Sequence, residues 1–405
     1  MNKKYFKNVL VDRHNHFSSS FRQIFQLLSS TCPPKAELPY SVFSILYSSF
    51  SQGYNMIKPF LIFTLLLCCT AFVATDCKHN PIGPNPPEPD STSHIYSWQI
   101  DTIGTWMSTA CDVWGTDVNN VYVVGFFYNP DSITSGTSIM HWDGKRWKAT
   151  SFWVGDLYCV YGFNTNDIWV GGNNGTAPII GHWNGSSWNL IASSVMNNLV
   201  NVGIHRIWGT SSSNLYAVGE SGTILHYDGT IWIQMTSGTT VFLSDIWGYD
   251  KNTIYAVGYD ITTGVGVLLF CDGKNWTVLY ARDFTSALIP NGWTTTIWGY
   301  DSSHVYLKAG NNFFLGNKFN WSEIYPPAPT FVESIRGESY KNIFIVGDYG
   351  LILHWNGKGW YRYDQFYTYA NGNGDVLSRA WIKGNIVFIV GHSPLIQGII
   401  YRGTQ

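Results

Sequence analysis

The chain has 405 residues and a formal net charge of −2; aromatic residues make up 17% of it and charged residues only 12%, with 40 glycines and 19 tryptophans. So weak a charge, with no basic run, excludes the electrostatic footprint of a nucleic-acid binder. Aromatic residues spaced by Gly and Asn predict strands and tight turns instead of helices. In chain order, residues 1–55 match no element and are read as a leader, with synthesis expected to begin at Met56. Met56 to Pro59 opens a charge-free apolar run from Phe60 to Ala74. That run is too short to prefer a membrane span and suits the core of an export signal over residues 56–76. Residues 77–93 carry Pro81, Pro84, Pro86, Pro87 and Pro89, and such a stretch is an extended tether.

An apolar segment, then Cys77, then a Pro-rich tether resembles the start of a bacterial lipoprotein, with Asp76 departing from the small uncharged residue that family prefers there. The resemblance implies lipidation at Cys77 and attachment to the cell envelope. Soluble secretion is the alternative, and export is expected in both cases. Of the later cysteines, Cys111, Cys159 and Cys271 have no paired spacing and are expected as free, buried thiols.

From His94 onward one unit repeats. A Trp-Gly anchor recurs as Trp114-Gly115, Trp208-Gly209, Trp247-Gly248 and Trp298-Gly299, with weaker copies at Tyr161-Gly162, Arg336-Gly337 and Trp381. An apolar run closed by Gly follows, as in Leu215 to Gly219 and Ile254 to Gly258. A third run ends in Asp-Gly or its like, as at Asp228-Gly229, and a Trp stands three residues past that Gly. Trp147, Trp188, Trp232, Trp276, Trp321 and Trp360 are these tryptophans. Each unit therefore provides four short strands, a to d, and cannot bury both faces alone; packing face to face around an axis gives a β-propeller. Seven anchors predict seven blades. The last unit stops after Arg402-Gly403, before its Trp, whereas Ile95 to Trp98 reads as a strand d with nothing before it. The N-terminal strand is thus expected to complete the seventh blade and remove the exposed edge. The domain reading is a propeller over residues 94–405, all-β, seven-bladed, with four antiparallel strands per blade.

The unit Ile-Trp-Gly, Asn-x-Tyr-Ala-Val-Gly, Gly-x-Ile-Leu-His-Tyr-Asp-Gly-x-x-Trp is similar to the Trp-Gly/Val-Gly repeat propellers of exported bacterial proteins. Its third segment resembles a degenerate Asp-box, the marker of sialidase-like and photosystem-assembly-factor-like propellers. The resemblance implies the fold and leaves the activity open, since such propellers host both enzymes and binding scaffolds.

His141, His182, His226 and His354 share one position in strand c of four blades. Equivalent positions radiate around a ring and cannot converge on one ion, so each is expected to bond within its own blade; no metal or cofactor is read here. The Asp-Gly pairs are hairpin turns. A glycosidase needs two facing carboxylates. Asp156, Glu220, Asp260, Asp283, Asp348 and Asp364 lie in connecting loops, but nothing in the sequence pairs any two of them. The arginines show no grouping of the kind that holds a substrate carboxylate. Asp112, Asp245 and Arg206, each two residues before an anchor, are expected to line a solvated central channel.

The chain is therefore read as an exported, surface-tethered, monomeric binding module for a glycan or an envelope protein. A carbohydrate-active, sialidase-like hydrolase and an assembly factor for another protein complex are the alternatives. The d-to-a and b-to-c connections share one side of the ring and carry the variation in length, so that side is the expected ligand face. Trp106, Trp153 and Trp293 stand outside the repeat on that side, with Phe127, Tyr128, Phe152, Tyr259, Phe366 and Tyr367 beside them. Exposed rings there would stack on sugars or form a protein hot spot; the other reading is that they cap the blade tops.

Overall fold

The structure, a computed structural model, describes residues 91–405 except 130–131, 151, 153, 192–197, 200–201, 281–294, 319, 329–330, 370–372 and 396. The leader, the export segment and Cys77 lie outside the described residues. The compact unit that holds the described residues is Pro87–Gln405.

Seven four-stranded antiparallel sheets make up the propeller. Blade one runs through Thr109–Asp117, Asn120–Asn129, Ser132–Trp142 and Trp147–Ala149, as strands a, b, c and d. In the next five blades strand a is Asp156–Asn164, Ile204–Ser211, Phe242–Asp250, Thr295–Gly299 and Val332–Ser339 in turn, and in blade seven it is Val376–Lys383. These inner strands contact one another in sequence around the ring, and the seventh touches the first. Strand d begins at Trp147, Trp188, Trp232, Trp276, Trp321 and Trp360 in blades one to six. Blade seven takes its outer strand from the front of the chain: Ser97–Ile103 pairs antiparallel with Gly398–Thr404, setting Trp98 opposite Gly403 and Ile100 opposite Tyr401. Apolar clusters fill the space between neighbouring blades, as where Tyr122, Val124 and Ile139 of blade one meet Leu157, Ile168 and Ile179 of blade two.

The Trp-Gly anchor has a mechanical reason. Each indole lies on the anchor glycine of the next blade, where there is no room for a side chain. A Cβ on Gly162 would stand 2.6 Å from Cη2 of Trp114, and on Gly248 2.4 Å from Cη2 of Trp208. Trp247 closes on Gly299, Trp298 on Gly337 and Trp381 on Gly115 in the same way. Tyr161 substitutes a hydrogen bond, its hydroxyl donating to the Gly209 carbonyl at 2.8 Å. Between blades six and seven the pattern breaks, because Arg336 stands in place of the indole and Ile382 in place of the glycine.

The four strand-c histidines each bond within their own blade. His141 meets Asn120 at 2.7 Å, His182 meets Asp167 at 2.8 Å, His226 meets Asn214 at 2.7 Å and His354 meets Asn342 at 3.2 Å. The rings stack on Tyr122, Trp169, Tyr216 and Phe344. The Asp-Gly segments are turns in which the carboxylate accepts amides two and three residues on, as Asp228 does from Thr230 and Ile231. Cys111, Cys159 and Cys271 are free thiols; Cys159 and Cys271 are buried, and Cys111 is partly exposed.

Candidate functional site: the channel and its two mouths

Alternating strand directions put the d-to-a and b-to-c connections on one side, the upper face, and the short a-to-b and c-to-d turns on the other, the lower face. Strand a starts at the upper face. In six blades it carries a β-bulge near that end, between Ala110 and Asp112, Leu157 and Cys159, Ile204 and Arg206, Leu243 and Asp245, Val332 and Ser334, and Leu377 and Arg379. A bulge leaves one residue unpaired and re-aims its side chain. The unpaired residues are Cys111, Tyr158, His205, Ser244, Glu333 and Ser378.

Tyr158 and His205, from neighbouring blades, stack with ring centroids 4.6 Å apart, and His205 meets Phe242 of the following blade edge-on at 4.6 Å. Phe242 in turn meets Tyr259. Glu220 accepts from the Gly203 amide at 2.8 Å and lies 3.3 Å from Nε2 of His205. Burial brings the His205 pKa down to about 4 against the opposing pull of Glu220. Burial also pushes the Tyr158 hydroxyl and the Cys111 thiol up to about 12. The arc presents hydrogen-bonding groups and ring edges, with Asp156 and Glu220 beside Tyr158 and Glu333 beside Tyr259.

Below the bulges charged side chains of several blades meet. The residues two before each anchor form one ring, and there Asp245 collects its partners from other blades. Its carboxylate accepts from Nη2 of Arg336 at 2.7 and 3.0 Å, from Nη1 of Arg379 at 3.3 Å and from the Thr296 hydroxyl at 2.8 Å. Arg206 lies 3.6 Å from both Asp112 and Asp245. Asp112 accepts the Val113 and Val160 amides at 3.0 and 3.1 Å, and burial pushes its carboxyl up despite the opposing pull of Arg206. Two expectations need correction here. Asp112 and Asp245 are buried, so this part of the channel is a buried ion network and not a solvated lining. The arginines do group, because Arg206, Arg336 and Arg379 converge, yet buried carboxylates already hold them. Aligning the anchors would have brought Arg206 and Arg379 to the same ring position as the two aspartates. Arg336, which occupies the indole position itself, would have escaped that alignment.

The carboxylates of the upper loops divide: Glu220 reaches His205, Asp156 lies near Tyr158, and Asp348 lies near Lys308, Glu333 and His392 of blades five, six and seven. Asp260 caps the amides of Thr262 and Thr263, and Asp364 pairs with Arg362. Asp283 lies outside the described residues. Among the described residues no three His, Cys, Asp or Glu side chains gather as metal ligands.

The loop aromatics divide. Phe127 is 3% exposed and packs in the apolar cluster with Ile103, Ala110 and Ile400, so it caps the scaffold and offers no face to a ligand. Phe152 stacks on Trp188, Phe366 packs on Trp98 and Tyr401, and Tyr367 lies under the Arg362 guanidinium. Trp153 and Trp293 lie outside the described residues. Trp106 and Tyr128 remain outward, at 69% and 39% exposure.

Trp106 sits on a turn that the sequence reading missed as a unit. The Ser108 amide donates to the Thr105 carbonyl at 2.9 Å, closing the turn over Trp106 and Met107. Thr105 donates through its amide and its hydroxyl to the Tyr128 carbonyl, and the Tyr128 amide donates to the Ser108 hydroxyl. Met107 has φ +71°, a conformation that turns usually reserve for Gly, and is 47% exposed. A strained backbone held by hydrogen bonds at both ends displays two large apolar side chains to solvent.

This architecture defines the class of protein: a seven-bladed β-propeller with a buried ion network at its axis. No protein-family model matches the chain. The immune protein Tsi7 of Pseudomonas aeruginosa is 28% identical over 112 residues, 27% of this chain and 35% of that protein, so the match spans about a third of the relative's length. Among solved structures, YCF48 bound to D1 peptide covers 78% of this chain and 100% of its own, at 15% identity and TM-score 0.56. YCF48 from Cyanidioschyzon merolae covers 75% and 98%, at 13% identity and TM-score 0.54. A catalytically inactive virginiamycin B lyase from Staphylococcus aureus, with quinupristin, covers 77% and 100%, at 10% identity and TM-score 0.52. At these identities the likeness is one of fold.

Proposed function

We propose that this propeller is a protein-binding module that docks a partner on its upper face. The observation that carries the reading is the Trp106–Met107 turn. An indole and a thioether held out on a rigid, strained turn form a convex apolar knob, the shape of an interface anchor that enters a pocket on a partner. Rigidity of the free turn lowers the ordering cost of association. A structural neighbour, YCF48, is known bound to a peptide, which agrees with a binding or assembly role for the fold. Selecting peptides from a displayed library against the full chain tests this. Trp106→Ala should weaken the selected peptides by about 2 kcal/mol, roughly thirtyfold. Undiminished peptide binding with an intact fold would remove the knob from the site. A glycan-array signal abolished by the same substitution would replace the protein partner with a glycan.

The setting belongs to the same proposal: export through residues 56–76 and an envelope anchor at Cys77, supported by the apolar run and the Pro-rich tether behind it. Stable anchoring takes more than one acyl chain, as bacterial lipoproteins carry. Cys77→Ser should move the protein from the membrane fraction to the soluble one. Unchanged fractionation would favour soluble secretion.

A further inference from the structure

The break in the Trp-Gly ring leaves a cavity. On the lower face, at the mouth of the channel, a depression of about 650 Å³ is lined by the strand-a ends of blades six, seven, one and two. Its lining includes both residues of the interrupted contact, Arg336 and Ile382. An indole at position 336 would lie over the next blade as the other anchors do. Arg336 turns inward to Asp245 instead and leaves that space open.

We propose that this depression binds a neutral saccharide of one or two rings. Three observations decide the ligand class. First, the walls are Trp114, Trp381 and Phe163, each partly exposed, and the apolar C–H faces of a sugar stack on such rings. Second, the charges balance. Two cations, Arg336 and Lys383, face two carboxylates, Asp117 and Glu338; Arg336 shares the Asp245 carboxylate with Arg206 and Arg379, and Lys383 makes no ion pair among the described residues. An anionic ligand would meet the two carboxylates and a cationic one the two cations. Third, the rim offers donors and acceptors together: Lys383 and Thr165 donate, and Glu338, held by the Gly384 amide at 2.7 Å, retains accepting capacity. Sites of a few hundred Å³ suit ligands of this size. The site lies on the face opposite the Trp106 turn and does not depend on the docking proposed there.

Saturable change in tryptophan fluorescence, measured with the full chain against cellobiose, maltose and chitobiose at millimolar concentration, tests the site. At least one of these sugars should bind. Trp381→Ala should weaken it at least tenfold. Because Trp381 also packs on Gly115, Thr165→Trp serves as the second variant: the exposed Thr165 is on the rim, and the larger ring should block entry without touching the core. Failure of all three sugars to give a saturable signal overturns the proposal, as does sugar binding indifferent to Thr165→Trp. Loss of peptide binding in Thr165→Trp would assign the depression to the protein interface and overturn it equally.

Discussion

His354 occupies the strand-c position that His141, His182 and His226 hold in other blades, yet its surroundings differ. The segment leading into the closing strand crosses blade six at this point, and Nδ1 of His94 comes within 3.0 Å of Nδ1 of His354. The Asn342 amide nitrogen donates to the Gly384 carbonyl, so its oxygen faces Nε2 of His354 and makes that nitrogen the donor. Nδ1 of His354 is left to accept from His94. A second proton, on Nδ1 of His354, would need His94 to change tautomer and accept at its own Nδ1. Burial, and then the neighbouring His94, lower the His354 pKa to about 3. The folded-state pKa is below the ordinary 6.5, so the unfolded chain takes the proton first. The stability this group contributes is whole above pH 6.5 and is lost as the pH falls from there to about 3. His205, lowered to about 4, acts in the same direction. Urea unfolding followed across that range should show an acid limb that becomes shallower in His354→Gln. An identical slope in the variant would mean that His354 does not set it.

At the scale of the strand, the Trp-Gly contact makes a sharper demand than the glycine's backbone does. Gly248 needs no left-handed conformation; it needs the absence of a Cβ, because Trp208 lies on it and is itself held in the cluster with Leu243, Ile246 and Trp276. Gly248→Ala should cost about 1–3 kcal/mol, the range for forcing extra volume into a packed core. Gly359 has nothing within 4 Å of an added Cβ, and Gly359→Ala should stay within about 0.5 kcal/mol. Equal denaturation midpoints for the two variants would refute the interlocking of blades through this contact. The bulges act at the same scale. They recur in six inner strands, but no residue type marks them: Cys, Tyr, His, Ser and Glu all serve as the unpaired residue. A bulge is a count of residues against a partner strand, so it becomes visible only once the pairing is known.

For the whole molecule, ring closure and the channel network act together. The outer strand of blade seven comes from Ser97–Ile103, and the Arg402 guanidinium meets the Asp101 carboxylate across that seam at 2.6 Å. At the axis, Asp245 ties its own blade to blades five, six and seven through Thr296, Arg336 and Arg379. Removing one partner of such a buried network leaves the others charged and unpaired, the costly case for buried ions. What the sequence by itself determined was the blade: four strands, their turns, the Trp-Gly anchor, the number of repeats and the strand that closes the ring. These follow from contacts local in the chain or from counting copies of one unit. Tertiary structure alone decided which side chains meet between blades. Arg206 and Arg379 become neighbours of Asp245 only after the ring has closed, and Arg336 leaves its repeat position to join them. The same holds for the loop aromatics: Phe127 and Trp106 read alike in sequence, but Phe127 finds apolar neighbours in the closing blade, whereas the turn pinned to Tyr128 leaves Trp106 largely exposed. Exposure is a property of what the rest of the chain brings alongside, and local pattern carries no information about that.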